Sequence, residues 1–207
     1  MNGDNTYTAR LHYTGRADGR GIMGQVEWQH LWNEDWSSKL ELALANQYFN
    51  RLNLQGTIFR NLKNDWQLEA GIGYRELFTS EKMSNATIGI AKELNQFRLN
   101  SKLTLFNMEG KLLYNTTIQG RYSFSIPKNY ILGIAGIGSS PDVEMLNYQF
   151  INGFSVQNAL FGAGFGHMIY KNVSTSIIGT WYHFNSNQNQ SEYNSLYNLH
   201  MQLNVSF

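Results

Sequence analysis

From Tyr197 to Phe207 every odd residue is apolar (Tyr197, Leu199, Met201, Leu203, Val205, Phe207) and every even one is polar (Asn198, His200, Gln202, Asn204, Ser206). Side chains of a strand alternate between its two faces, so this period describes a strand with one apolar and one wet face. A soluble sandwich also uses such strands. Here the wet set is large and amide-rich, as expected where it lines a lumen while the apolar set meets lipid.

The same period recurs along the chain. Tyr7, Ala9, Leu11 and Tyr13 oppose Thr8, Arg10 and His12; Ile22 to Trp32 present even positions outward and Gln25, Glu27 and Gln29 inward. Trp36, Ser38, Leu40, Leu42, Leu44 and Tyr48 face lipid in the third strand, against Lys39, Glu41, Ala43, Ala45 and Gln47. Further strands are expected over about 52–60, from Trp66 to Arg75, over 84–94 and 97–106, at Tyr114–Phe124, from Tyr130, to Tyr170, over 174–184 and at the C-terminus. The facing of 174–184 is open, because both alternations fit. Short turns fall near residues 34, 64, 95, 128 and 172, and the longest outer loop follows Gly138. The fold class expected is all-β, a transmembrane up-and-down antiparallel β-barrel of about 12 strands forming a single domain over residues 1–207. Ten or fourteen strands result if 138–157 pairs differently.

Composition narrows the function classes. Net charge is +1, without the basic stripe that nucleic acid requires. Cysteine is absent, so disulfides, thiolate metal sites and cysteine nucleophiles are excluded. No apolar run approaches the ~18 residues of a spanning helix. The polar start at Met1 shows no secretory signal, so a signal peptide and an upstream domain are expected to precede this chain in the natural protein.

Aromatic residues reinforce the membrane reading, with twelve Tyr, twelve Phe and five Trp. Trp32, Trp36, Trp66, Phe97, Phe124, Tyr130, Tyr170 and Phe207 are expected to ring the rim beside the short turns. Tyr13, Tyr48, Tyr74, Tyr114, Tyr182 and Tyr197 should mark the other rim, as outer-membrane barrels require at both interfaces. Inward positions collect Arg10, Lys39, Arg75, Arg98, Lys102 and Arg121 against Glu27, Glu41 and Glu69, with His12 and His200 able to add charge below neutral pH. A cation-rich lining favours anionic solutes or acidic sugars. The competing reading is that Arg and Glu pair and plug the interior. Inward glycines, Gly71, Gly73, Gly133, Gly162, Gly164 and Gly166, are expected to make room for neighbours.

The strand succession, with Ile134-Ala135-Gly136-Ile137-Gly138-Ser139-Ser140-Pro141-Asp142, resembles the YaiO family of outer-membrane β-barrel domains. The likeness rests on a Gly-x-Gly-x-Ser-Pro-acid run associated with that family. It implies the bacterial outer membrane, contact with its lipid and lipopolysaccharide, and a partner domain in the periplasm. The last strand is similar to the signal read by the barrel-assembly machinery, with Val205 and Phe207 in apolar places, and departs from it at Gln202, where Gly is usual.

The functional expectation is a narrow pore or envelope-anchoring domain linked to transport of small anionic solutes or acidic glycans. The alternative is a lipid-modifying hydrolase with His183, Ser186 and Glu192 near the outer rim and His167 on strand ten; a serine nucleophile needs such a base and carboxylate. Asp18, Asp142 and Glu144 do not match a calcium loop. Gly136-x-Gly138 lacks the third glycine of a dinucleotide fingerprint. No metal and no cofactor are expected.

Overall fold

The computed structural model describes residues 4–16, 19–46, 49–77, 80–108, 110–124, 129–139, 158–171, 173–185 and 193–205. Among them are twelve strands: β1 (Asn5–Arg16), β2 (Gly19–Leu31), β3 (Trp36–Ala45), β4 (Leu52–Leu62), β5 (Trp66–Glu76) and β6 (Lys82–Leu94), followed by β7 (Phe97–Met108), β8 (Lys111–Ser123), β9 (Tyr130–Gly138), β10 (Asn158–Tyr170), β11 (Val173–Asn185) and β12 (Tyr193–Val205). They form one sheet in sequential order, and the order described begins at β1 and ends at β12. Several strands run past the expected ends. Alternation marks only the stretch where the two faces differ in chemistry, whereas hydrogen bonding continues into polar loop-side residues.

The short turns follow local chemistry. Asn33 Oδ1 accepts from the backbone N–H groups of Asp35 and Trp36, both at 2.9 Å, closing the β2–β3 connection. Asn64, Asp65 and Asn95 adopt φ of 59°, 59° and 55° in the β4–β5 and β6–β7 turns. Asn and Asp tolerate this left-handed region better than other side chains, which is why they punctuate these hairpins. The expected outer loop from Ser140 onward lies outside the described residues, as do Tyr48 and Phe207.

The contacts resolve into two units. The first holds β1 to β5, β6 as far as Ile90, and Leu103–Tyr114. On its apolar face Leu11, Val26, Leu40, Leu54, Ile58 and Ile72 are exposed, and its other face buries Gln25, Asn53, Thr57 and Arg75. An exposed apolar face with a buried polar one inverts a soluble sheet protein.

The second unit holds Ala91–Lys102, β8 from Asn115, and β9 to β12. Ile118, Tyr122, Ile131, Ile137, Phe161 and Phe165 are exposed on its apolar face, while Asn115, Ser174, Ser176 and Thr180 are buried on the polar one. This settles β11: Ser174, Ser176, Thr180 and Tyr182 share the polar face. Tyr182 is 1% exposed and is therefore not a rim residue. Gly133 also departs from the expectation, because it alternates with the exposed Ile131 and Ile137 on the apolar face.

Candidate functional site

The polar face of the first unit carries a connected charge network. Register places Glu27 of β2 directly opposite Glu41 of β3. Adjacent like charges repel, so each carboxylate needs a clamp. Arg10 reaches Glu27 from β1 at 3.4 Å, and Lys39 reaches the same oxygen at 4.0 Å. Glu41 accepts from Asn53 Nδ2 at 2.9 Å, and the Asn53 carbonyl oxygen accepts from Arg75 Nε at 2.8 Å. Asn53 is fully buried and Arg75 is 2% exposed, so these bonds work where water screens little. His12 contacts Gln25 at 3.1 Å one row further toward the loops. Glu69 lies on the same face opposite Phe59.

Toward the loop ends that face turns apolar. Met23, Met83 and Phe106 are fully buried, and Phe49 and Met108 nearly so. Phe49, from the β3–β4 loop, packs with Met23 and Ala43. No expectation singled these residues out, although their parity puts Met23, Met83, Phe106 and Met108 on the wet face. Buried apolar side chains on a wet face take the place of water where they lie.

In the second unit Arg98 pairs with Glu93 at 2.8 Å beside the β6–β7 turn, and Lys102 lies on the same face of β7. The Arg121 guanidinium stacks 3.8 Å over the Tyr130 ring. That ring occupies the place a Cβ on Gly166 would take, making a layered stack of Arg121, Tyr130 and Gly166. Tyr130 therefore belongs to the polar face and not to the rim. The reason is specific: the missing side chain at Gly166, opposite Tyr130 in the ladder, opens a slot there for the ring. Trp32, Trp36, Trp66 and Phe97 are exposed at the turn ends of the apolar face.

Of the four residues of the hydrolase reading, His167 and His183 are described. Ser186 and Glu192 lie outside the described residues, and of His200 only the backbone is described. His183 Nδ1 lies 3.3 Å from Ser195 Oγ on the apolar face, a cross-strand pair that register creates and linear spacing conceals. His167 sits at the far end of β10, on the wall of a depression of about 300 Å³ with Phe124, Ile131 and Phe165. No group of metal-ligating side chains occurs among the described residues. Among the described residues no helix is long and apolar enough to cross a membrane.

Residues 2–143 match the family described as the YaiO membrane beta barrel domain. The chain belongs to that family. The YaiO match agrees with the membrane-spanning character that alternation and the inverted burial imply, and it places the protein in the bacterial outer membrane. Among solved structures the YaiO chain is similar to a NanC porin, with a TM-score of 0.56, 8% identity, and coverage of 98% of this chain and 99% of the porin. At that identity the likeness concerns the fold. No curated protein matches.

Proposed function

We propose that this YaiO domain is a narrow outer-membrane pore for small anionic solutes. The observation that carries the reading is the chemistry of the polar face. Arg10, Lys39, Arg75, Arg98, Lys102 and Arg121 line it, against Glu27, Glu41, Glu69 and Glu93, so cations outnumber carboxylates. A lining of one excess sign, flanked by low-dielectric walls, raises the local concentration of the opposite sign. Glu27 illustrates the balance, since a single carboxylate serves two cations. The buried Met23, Phe49, Met83, Phe106 and Met108 support the word narrow, because buried apolar side chains on a wet face leave little room there for hydrated solutes.

Planar-bilayer recording tests the proposal. The parent protein is expected to conduct with a reversal potential that favours anions. Joint replacement of Arg98, Lys102 and Arg121 by Gln is expected to shift that potential toward zero. No conductance in the parent, or an unchanged reversal potential in the variant, overturns the reading.

A further inference from the structure

The apolar face of the first unit is not uniformly filled. Register aligns Trp28, Leu40, Gly56 and Ile72 across β2 to β5, and the next row toward the loops is Val26, Leu42, Leu54 and Tyr74. Every position in those rows carries a large side chain except Gly56. The gap opens a depression of about 750 Å³ walled by Trp28, Leu40, Leu42, Leu54, Ile72 and Tyr74. Its wall is almost wholly apolar, and in a membrane barrel this side faces acyl chains.

What distinguishes the depression from ordinary lipid contact is a cation further along the same face, beyond its wall. Following β4 on the same face, Ile58 and then Arg60 lead from Gly56 to the short-turn rim. Four residues at ~3.3 Å each separate Gly56 from Arg60 by about 13 Å along the strand. With strands tilted by ~40° the gap lies about 10 Å below the rim, near mid-height of an apolar band ~25 Å tall. The Arg60 guanidinium is held 5.1 Å from the centroid of the Trp36 ring, and no carboxylate among the described residues pairs with it. The loop end of β4 is different. There Arg51 pairs with Glu76 at 3.3 Å and donates to Ser80, so its charge is met within the protein. The headgroup of a lipid whose chain fills the gap is therefore drawn to the short-turn, periplasmic side.

We propose that the first unit binds one anionic glycerophospholipid of the periplasmic leaflet, its phosphate on Arg60 beside Trp36 and an acyl chain in the depression floored by Gly56. Guanidinium and phosphate match in charge and in fork geometry, and Trp36 is the residue type that interfaces favour. The inference is independent of the pore reading, since it concerns the opposite face of the sheet and its assay records no current.

Native mass spectrometry of the full chain, released from detergent after incubation with phosphatidylglycerol, phosphatidylethanolamine or lipid A, tests it. One phosphatidylglycerol is expected to remain bound in preference to the other two. Arg60→Gln is expected to reduce the preference over phosphatidylethanolamine by about tenfold, the loss of one charge-assisted contact. Gly56→Leu should fill the gap and lower retention of every phospholipid. A Cβ there meets its nearest neighbour, Leu40 Cδ2, at 3.4 Å, so the backbone need not move. Gly133→Leu, on the apolar face of the second unit, should leave retention unchanged, and Arg60→Gln supplies a readout should the Gly56 variant misfold. Equal retention of the three lipids by the parent, preference for lipid A, or retention unaffected by both Arg60→Gln and Gly56→Leu overturns the proposal.

Discussion

Replacing Asn53 by Leu removes the one side chain that joins Glu41 to Arg75. The two side chains are similar in size, so the change acts through hydrogen bonds with little cavity or overpacking. Both bonds, at 2.9 and 2.8 Å, involve a charged partner, and each such bond contributes about 1.5–3 kcal/mol. Their sum is an upper bound of about 6 kcal/mol. Two effects reduce it: a buried Leu regains about 1.5 kcal/mol or more of transfer energy, and Arg75 has a further interaction within the protein. The expected loss is about 3 kcal/mol. Urea unfolding of the protein in lipid vesicles, followed by tryptophan fluorescence, measures it. Glu41→Gln alone should cost less, since the Gln carbonyl oxygen still accepts from Asn53 Nδ2 without the charge, and the double variant should fall short of additivity by about 1 kcal/mol, because both changes act on the same bond. Stability of Asn53→Leu within about 0.5 kcal/mol of the parent would refute the argument that this amide clamps the network.

Gly166→Val should displace the Tyr130 ring from beneath Arg121 and destabilise by about 1–3 kcal/mol as an overpacked core site does, read by the same unfolding curve. Phe106→Ala removes a fully buried ring from the wet face; the expected cost is about 3–5 kcal/mol, with larger single-channel conductance if that ring restricts flow. Glu27→Gln leaves Arg10 and Lys39 without their shared carboxylate and should move the reversal potential further toward anion preference. Asn95→Val forces a β-branched residue into a turn position with φ of 55° and should cost about 1–2 kcal/mol, checked by the denaturation midpoint.

The strands and their faces were readable from residue type wherever chemistry changes sign at each step. Leu40 against Lys39 and Glu41, or Ile72 against Gly71 and Gly73, admits one assignment. The turns at Asn33, Asn64 and Asn95 were readable because their side chains favour the conformations found there. Reading by residue type fails where an apolar side chain lies on the wet face. Met23, Met83, Phe106 and Met108 pack there for reasons that involve other strands, and an aromatic such as Tyr130 or Tyr182 looks like a rim residue until its cross-strand neighbour is known. Tyr182 lies opposite Leu160, which is itself buried, and its ring turns with it to the polar face. The His183–Ser195 pair and the Glu27–Glu41 juxtaposition are likewise properties of register. Linear spacing cannot express them, since each pair joins residues separated by a turn of variable length.

The run Gly162, Gly164 and Gly166 on β10 bears on how the protein is made. A Cβ at Gly162 would meet Ile134 and Thr180 at 2.8 Å, one at Gly164 would meet Ile178 at 2.8 Å, and Gly166 receives Tyr130. Bulk on β9 and β11 is thus matched, position by position, to its absence on β10. Sliding β10 by one residue brings Phe161, Ala163 and Phe165 round to the crowded side. A hairpin paired one residue out of step would meet steric collision along this strand, so the same glycines that leave space in the finished protein also hold β10 in register.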